Sequence, residues 1–299
     1  MDMPTTPETI SRRAPEQAAT PDATASPREL YLDLLMNCLT RSIFPEQYRP
    51  AFEARPTHGR LKQRLYPLLR SLLPSGRYAL VERASFKPEA REEGHDWPAE
   101  AETMIGLRRL RNLRDCVTDV LRRGVPGDLI ETGVWRGGAT IFMRAVLKAY
   151  GDLSRIVWAA DSFEGLPKAD PARYPVDTGD RHWRYRQLGV SLDEVKANFS
   201  KYGLLDDQVR FLVGWFRDTL PNAPIERLAV MRLDGDMYES TMDALTNLYP
   251  KLSVGGYVII DDYALASCQS AVEDFRKKHG ISEPIRPIDW IGAFWQRTA

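Results

Sequence analysis

Short apolar runs alternate with longer amphipathic stretches through much of the chain. Five such runs end in glycine, aspartate or an aromatic residue: GDLIETGVWRGG, RIVWAADSF, QVRFLVGWF, RLAVMRLDGD and VGGYVIIDDY. Stretches with helical periodicity separate them, as in IFMRAVLKAY, LDEVKANFSKYG and STMDALTNLYPKL. Because parallel strands need crossover helices, the pattern predicts an α/β fold with a doubly wound, mostly parallel sheet. Ligands should then bind at the carboxyl ends of the strands.

The two ends of the chain depart from this alternation. The last segment, PIRPIDWIGAFWQRT, predicts an antiparallel hairpin at one edge of the sheet. Residues 1–28 are rich in Pro, Thr, Ala and Ser and predict a disordered tail. Residues 29–110 predict a helical N-terminal extension, with helices at ELYLDLLMNCLTRSIF and near residues 61–73. We place the ligand-binding core in residues 111–299.

The composition of the chain limits the kinds of molecule that we expect it to bind. Lysine plus arginine number 41 and aspartate plus glutamate number 41, so no net charge attracts nucleic acid or an anionic membrane. No apolar run approaches the roughly 20 residues that a membrane helix needs. The three cysteines, Cys38, Cys116 and Cys268, have neither disulfide-framework nor zinc-site spacing. We therefore expect a cytoplasmic protein with a small-molecule ligand, no nucleic acid and no membrane.

The first strand of the core ends in a glycine-rich loop. Residues 131–138 read ETGVWRGG, and glycines in such a loop let a ligand approach the backbone at the start of the next helix. The dinucleotide fingerprint GxGxxG has glycine where this chain has Glu131, whose charge disfavours a pyrophosphate. A ligand with an ammonium group, such as S-adenosylmethionine, fits better. A plain glycine turn with an exposed glutamate is the structural alternative.

Two further strand ends offer cofactor contacts. Asp161 ends the second strand, where nucleotide-binding α/β proteins place an acid that binds ribose hydroxyls. It would otherwise be a helix N-cap. Trp215 and Phe216 follow the third strand, where an adenine ring could stack on them, with core packing as the alternative for either ring.

Acidic residues end the fourth and fifth strands. Asp234 and Asp236 follow one strand, and Asp261 and Asp262 follow the next. Adjacent parallel strands would bring these carboxylates together, and their repulsion requires protonation or a cation. Oxygen ligands without His or Cys favour Mg²⁺. We predict Asp234, Asp261 and Asp262 as ligands, whereas Asp236 fits better as a cap for the helix that begins around residue 240, or as a hydrogen-bond partner of its own loop.

The four histidines share no ligand spacing. His95 and His182 lie in polar loops with aromatic neighbours, EEGHDWP and GDRHWRY, that would be able to close over a site. Substrate contact by either histidine is therefore left open.

Several motifs together resemble the macrocin O-methyltransferase (TylF-type) family. They are GHDWPAEAETMIGLRRLRNL, ETGVWRGG, DSFEGLP, YPVDTGDRHWRYRQLGVSLDEVKANF, YGLLDDQVRFLVGWFRDTLP, RLDGDMYEST and GYVIIDDY. The resemblance covers roughly residues 90–299. It implies the class I methyltransferase fold, S-adenosylmethionine and Mg²⁺ as cofactors, a sugar hydroxyl of a macrolide or aminocoumarin antibiotic as methyl acceptor, and a homodimer.

The resemblance also implies roles for individual residues. The cofactor-binding set comprises Thr103, Met104, Glu131, Thr132, Gly133, Val134, Trp135, Gly137, Asp161, Ser162, Phe163, Trp215, Phe216 and Asp234. The implied metal ligands are Asp234, Asp261 and Asp262, and Asp234 is also the implied catalytic base. The N-terminal helices and residues 168–190 would recognise the acceptor, with the latter as a lid. Because the sequence departs from the family mainly before residue 80, the identity of the acceptor stays open.

Two other functions fit the same motifs. A catechol-type O-methyltransferase would use the metal to chelate a phenolic diol. A non-catalytic scaffold that binds S-adenosylmethionine would have no use for the acidic cluster, which argues against it. A nicotinamide dehydrogenase is disfavoured by Glu131.

Overall fold

The computed structural model describes residues 25–50 and 81–299. The predicted helix near residues 61–73 and most of the predicted tail, residues 1–24, lie outside the described residues. The described helices are α1 (Pro27–Leu39), α2 (Pro88–Glu93), α3 (Leu107–Arg122), α4 (Gly138–Tyr150), α5 (Leu192–Lys201), α6 (Phe216–Thr219), α7 (Tyr238–Leu248) and α8 (Ala266–His279). Short 3₁₀ helices lie at Pro175–Asp177, His182–Arg184, Arg186–Leu188, Leu220–Asn222 and Tyr249–Lys251.

The strands confirm the predicted sheet. They are β1 (Tyr48–Pro50), β2 (Val81–Arg83), β3 (Asp128–Thr132), β4 (Val157–Asp161), β5 (Val209–Val213), β6 (Leu228–Leu233), β7 (Leu252–Ile260), β8 (Arg286–Pro287) and β9 (Ala293–Gln296). Within the described part of the chain, β1 and β2 pair alone and the other seven form one sheet in the order β5-β4-β3-β6-β7-β9-β8. Strands β3 to β7 run parallel, and β9 pairs antiparallel with β7 and β8. The predicted C-terminal edge hairpin is thus present.

The core lies on both faces of this sheet. One apolar cluster contains residues of α1, α3, α4 and α5, and the other contains residues of α7 and α8. Strand β6 is buried along its whole length, as expected for a central parallel strand covered on both faces. No helix in residues 25–50 and 81–299 is long and apolar enough to cross a membrane.

Helix α1 begins two residues before its predicted start and buries a different face. The Ser26 side chain accepts from the Glu29 backbone N–H, and Glu29 bonds back to Ser26, which forms a capping box. Among the residues that predicted the helix, Leu35 is buried, whereas Leu30 and Leu34 are more than half exposed. Helical periodicity identifies an amphipathic helix, but several faces of α1 carry leucines, so the pattern does not select one.

Helix α3 runs through the position where the sequence analysis places the boundary between the N-terminal extension and the core. The helix ends at Arg122 with Arg123 as its C-cap, and Gly124 follows with φ +64°, the left-handed conformation in which glycine commonly terminates a helix.

Candidate active site

The carboxyl ends of three parallel strands are aligned by their register. Thr132 of β3 lies opposite Leu233 of β6, which lies opposite Ile260 of β7. The residues that follow these positions therefore emerge at one edge of the sheet. Gly133 has φ +84°, and a Cβ atom built on it would fall on the carbonyl oxygen of Asp234. This close approach of two strand ends requires glycine.

Asp161 holds the glycine-rich loop in place. Its Oδ2 atom accepts from the Val134 N–H at 2.7 Å, and Oδ1 accepts from the Phe163 N–H at 2.7 Å. Burial raises the pKa of Asp161, and these backbone hydrogen bonds oppose that effect. The carboxylate thus joins the loops that follow β3 and β4.

Most of the predicted cofactor residues share one cleft. The cleft is lined by Thr103, Met104, Glu131, Gly133, Val134, Trp135, Asp161, Ser162, Trp215, Phe216 and Asp234. The others lie behind this surface. The Phe163 ring is buried and packs edge-on against Phe211, with ring centroids 6.2 Å apart, and Gly137 caps the start of α4. The buried Thr132 also lies outside the lining.

Glu131 is already engaged by the protein. It is only 2% exposed, and its carboxylate accepts from Arg232 at 2.5 Å and from the Thr140 hydroxyl. Burial raises the pKa of Glu131 to about 7, although Arg232 and Thr140 both lower it. The exposed glutamate of the simple-turn alternative is therefore not observed. The ammonium group of a ligand would therefore be a third partner for the Glu131 carboxylate.

Asp261 lies between two buried arginines. Its Oδ2 atom is 2.5 Å from Arg109 Nη1, and its Oδ1 atom accepts from Arg232. Arg232 also donates to Asp234 at 3.0 Å, and Arg109 Nε lies 2.9 Å from a carboxylate oxygen of Asp289. These arginines balance the charge of Asp261, which was predicted to ligate a metal.

The structure instead groups Asp234, Asp236 and Asp262. One carboxylate oxygen from each of these residues lies within 4.8 Å of the other two. Burial and the neighbouring Asp261 raise the pKa of Asp234 to about 6, although Arg232 and a hydrogen bond with Asp262 lower it. Burial and Asp234 raise the pKa of Asp236 to about 7 against the opposing effect of His182. Burial and the neighbouring aspartates also raise the pKa of Asp262. Within the described residues, the buried Asp262 Oδ2 atom has no hydrogen-bond partner. Clustered carboxylates with an unsatisfied oxygen fit a hard divalent cation such as Mg²⁺.

The predicted capping role of Asp236 is not observed. Helix α7 begins at Tyr238 rather than around residue 240, and its N-cap is Met237, without a side-chain cap bond. The backbone N–H groups of Tyr238 and Glu239 donate instead to Asp177, at 2.8 and 3.1 Å. Asp236 itself has φ +55°, a left-handed conformation that aspartate tolerates better than most residues.

Three residues of the site, Arg109, Arg232 and Asp177, were not predicted from the sequence. Arg232 had a signal, because an arginine inside the apolar run LAVMRL must be paired if that run is a buried strand. Arg109 and Asp177 had none, since both act on residues far away in the chain. Of the two candidate histidines, His182 lines the cleft, whereas His95 lies outside it and packs on Trp290 at a centroid distance of 4.8 Å.

Comparison with known proteins shows which family this chain belongs to. A profile of the family described as macrocin O-methyltransferase (TylF) matches residues 28–297. The chain belongs to that family. It is therefore an S-adenosylmethionine-dependent O-methyltransferase, and the recognition from sequence motifs is confirmed.

Several named O-methyltransferases are similar to this chain in sequence or in structure. The 8-demethyl-8-(2,3-dimethoxy-α-L-rhamnosyl)-tetracenomycin-C 4'-O-methyltransferase of Streptomyces olivaceus is 62% identical over 69% of this chain and 79% of its own length. The mycinamicin III 3''-O-methyltransferase of Micromonospora griseorubida is 48% identical over 91% of this chain and 97% of its own. The solved O-methyltransferase NovP superposes with a TM-score of 0.77 at 47% identity, covering 91% of this chain and all of NovP.

Proposed function

We propose that this TylF-family enzyme transfers a methyl group from S-adenosylmethionine to a sugar hydroxyl of a glycosylated natural product and requires Mg²⁺. The named activities of its relatives support the acceptor class. One acts on a rhamnosyl tetracenomycin, one on mycinamicin III, and a third, from Streptomyces niveus, on demethyldecarbamoylnovobiocin, at 48% identity over 92% of this chain.

One observation carries the proposal. The glycine-rich loop and Asp161 open into the same cleft as Asp234, Asp236 and Asp262. A methyl donor on the loop side would thus face an acceptor on the acidic side. This juxtaposition supplies the proximity that a displacement reaction needs.

The chain's own residues prepare the acceptor hydroxyl. We assign Asp234, Asp236 and Asp262 as the ligands that would hold Mg²⁺, in place of the set with Asp261. When bound, S-adenosylmethionine supplies an activated methyl group and Mg²⁺ lowers the pKa of a nearby hydroxyl. We assign Asp234 as the acceptor of the hydroxyl proton. Without metal, burial raises the pKa of Asp234 to about 6, so the carboxylate is largely ionised at neutral pH and able to accept a proton.

Arg232 orients this base. Its guanidinium donates to Asp234 at 3.0 Å and to Glu131 at 2.5 Å. One buried side chain therefore links the base to Glu131 at the start of the glycine-rich loop.

Methyl transfer to a panel of acceptors tests the proposal. The panel contains the dimethoxyrhamnosyl tetracenomycin, mycinamicin III and demethyldecarbamoylnovobiocin, each with Mg²⁺ and with EDTA, and with catechol as a phenolic diol. We expect methylation of at least one glycoside, its loss in EDTA, and no methylation of catechol. Metal-independent turnover would remove Mg²⁺ from the mechanism. Preference for catechol would favour the catechol-type alternative, and cofactor binding without any turnover would favour the scaffold.

We also propose that the enzyme is a homodimer. Leu30 and Leu34 lie one turn apart on α1 and are 51% and 56% exposed, and Phe44 nearby in the chain is 72% exposed. Exposed apolar side chains at neighbouring helical positions, such as Leu30 and Leu34, favour association. Light scattering after size exclusion should give twice the chain mass for wild type and the chain mass for Leu34→Glu. A monomeric wild type would refute the proposal.

A further inference from the structure

The 168–190 segment, which links β4 to α5, is fastened to the acceptor side of the cleft by Asp177. This carboxylate is 2% exposed and accepts from the backbone N–H groups of Tyr238 and Glu239, at 2.8 and 3.1 Å. Helix α7 begins directly after the loop that carries Asp234 and Asp236. The segment is therefore tied to the element that presents the acidic cluster.

A second contact fastens the segment to the cofactor side. The Trp135 indole Nε1–H donates to the carbonyl oxygen of Gln187 at 2.8 Å. Trp135 belongs to the glycine-rich loop and has φ +47°, an uncommon conformation for a large side chain. Residues 178–186 thus lie between two attachment points, one in each half of the site.

His182 lies between these attachment points and faces the cleft. Its Nδ1 atom is 2.5 Å from Asp180 Oδ2, and its backbone N–H donates to Asp180 Oδ1 at 3.0 Å. A carboxylate accepts hydrogen bonds, so Asp180 holds the proton on Nδ1 and leaves Nε2 for another partner. The side chain is 36% exposed and lines the cleft together with Asp236.

The imidazole is close to the acidic cluster but separate from it. His182 does not belong to the group of ligand atoms that lie within 4.8 Å of one another on Asp234, Asp236 and Asp262. His182 lines the same cleft as these carboxylates, so a ligand bound in the cleft can contact the ring. The Tyr185 ring lies 5.9 Å from the imidazole and 6.1 Å from the Trp97 ring, centroid to centroid, which places aromatic surface beside it. A polar group next to aromatic rings suits a sugar.

We propose that His182 binds the acceptor sugar, with Nε2 contacting a hydroxyl at or next to the methylation position, and that Asp180 is the positioning residue that orients the ring. The assignment rests on the proposed function, because it needs a sugar acceptor in the cleft. Asp234 remains the proton acceptor. His182 contributes affinity and orientation for the glycoside and leaves cofactor binding unaffected.

Four variants test this assignment: His182→Ala, His182→Gln, Asp180→Asn and Arg184→Ala. The last is the matched control, since Arg184 is exposed on the same 3₁₀ helix as His182. The acceptor is whichever of the three panel glycosides the wild type methylates fastest. The measurements are KM and kcat for that glycoside, its Kd in the presence of S-adenosylhomocysteine, the Kd of S-adenosylmethionine, and the melting temperature.

Loss of one hydrogen bond to the sugar should raise the glycoside KM and Kd of His182→Ala about tenfold. The Kd of S-adenosylmethionine and the melting temperature should stay at wild-type values. His182→Gln retains a hydrogen-bonding group and should recover part of the affinity, and Asp180→Asn should fall between wild type and His182→Ala. Arg184→Ala should match wild type.

Two results would overturn the assignment. Unchanged glycoside affinity in His182→Ala would show that the imidazole does not touch the acceptor. Parallel losses of cofactor affinity and melting temperature would show that His182 only supports the fold of the segment. If the wild type methylates none of the glycosides, the proposed function itself fails, and the role of His182 falls with it.

Discussion

Arg232 joins carboxylates from three strand ends. Its guanidinium contacts Glu131 of β3, Asp234 after β6 and Asp261 after β7. The planar fork of five donors suits such multiple pairing, and the charge stays on at any working pH. In the described part of the chain, Asp236 and Asp262 have no such ion pair. At the scale of single residues, the acids therefore form two groups. Arg232 neutralises Glu131, Asp234 and Asp261, whereas Asp236 and Asp262 repel each other.

Replacing one aspartate from each group with asparagine should change the stability of the protein in opposite directions. Asp236→Asn removes a repelling charge, so at about pH 7.5 the metal-free variant should melt at or above the wild-type temperature and lose the rise caused by Mg²⁺. Asp261→Asn leaves buried arginine charge unbalanced and should cost about 3–5 kcal/mol of unfolding free energy. It should still be stabilised by Mg²⁺. Thermal and denaturant unfolding with and without Mg²⁺ measure both effects.

The reverse pattern would restore the ligand set predicted from sequence. If Asp261→Asn loses the Mg²⁺ effect and Asp236→Asn keeps it, Asp261 is a ligand despite its two arginine partners.

The raised pKa of Glu131 predicts pH-dependent cofactor binding. Burial raises this pKa from 4.5 to about 7, so the carboxyl is mostly protonated at about pH 6 and about half ionised at pH 7. The ammonium of S-adenosylmethionine prefers the ionised form, so affinity should rise about fivefold between these values, both below the ordinary pKa of an α-amino group. Isothermal titration of S-adenosylmethionine at the two pH values measures this change in affinity. Glu131→Gln should bind more weakly and lose this rise, and an unchanged pH dependence would exclude the contact.

At the scale of elements, local patterns predicted the strands but not how their connections attach. Apolar runs that end in Gly, Asp or an aromatic residue identify β3 to β7, because strands of a parallel sheet that helices cover on both faces are largely apolar. The N-terminus of α7 is different, since its cap, Asp177, lies 61 residues earlier in the chain than Tyr238. No local pattern encodes a bond across that separation. For the same reason, capping by the nearby Asp236 was predicted and not found.

Removing this remote cap should loosen the 168–190 segment. Asp177→Ala leaves two backbone N–H groups at the start of α7 without their acceptor and should cost about 1–2 kcal/mol of unfolding free energy. Trypsin should then cut faster after Arg181 and Arg184, while S-adenosylmethionine affinity changes little. Asp170→Ala is the control, because among the described residues the Asp170 side chain accepts only from the backbone N–H groups of Ala172 and Arg173, within the segment. Equal cleavage of both variants would contradict the anchoring role of Asp177.

Across the whole molecule, the residues before the core close one side of the cleft. The Gly138 N–H donates to the carbonyl oxygen of Glu102 at 2.9 Å, and a Cβ atom at Gly138 would collide with that backbone. The cleft-lining residues Thr103 and Met104 follow directly. The sequence motifs indicated their role, but this close contact depends on tertiary packing. It joins the N-terminal extension to the cofactor loop as parts of one site.

Arg109 connects the N-terminal side, the sheet and the C-terminal hairpin. From α3 it reaches Asp261 after β7 at 2.5 Å and Asp289, before β9, at 2.9 Å. Removing one member of a buried charge network leaves the others uncompensated. The three parts of the molecule should therefore depend on this side chain for their mutual stability.

Substitutions at two neighbouring arginines compare the contribution of a buried ion pair with that of a surface ion pair. Arg109→Met keeps much of the side-chain volume but should cost about 3–5 kcal/mol, because Asp261 and Asp289 lose a partner in the interior. Arg108→Met, one residue earlier on α3, removes a pair with Glu93 at 3.1 Å in which Arg108 is 52% exposed, and should cost about 1 kcal/mol or less. Guanidinium chloride unfolding compares the two, and Asp289→Asn added to Arg109→Met should recover part of the loss by removing an unpaired buried charge. Equal losses for the two arginines would mean that α3 is held by its apolar face alone.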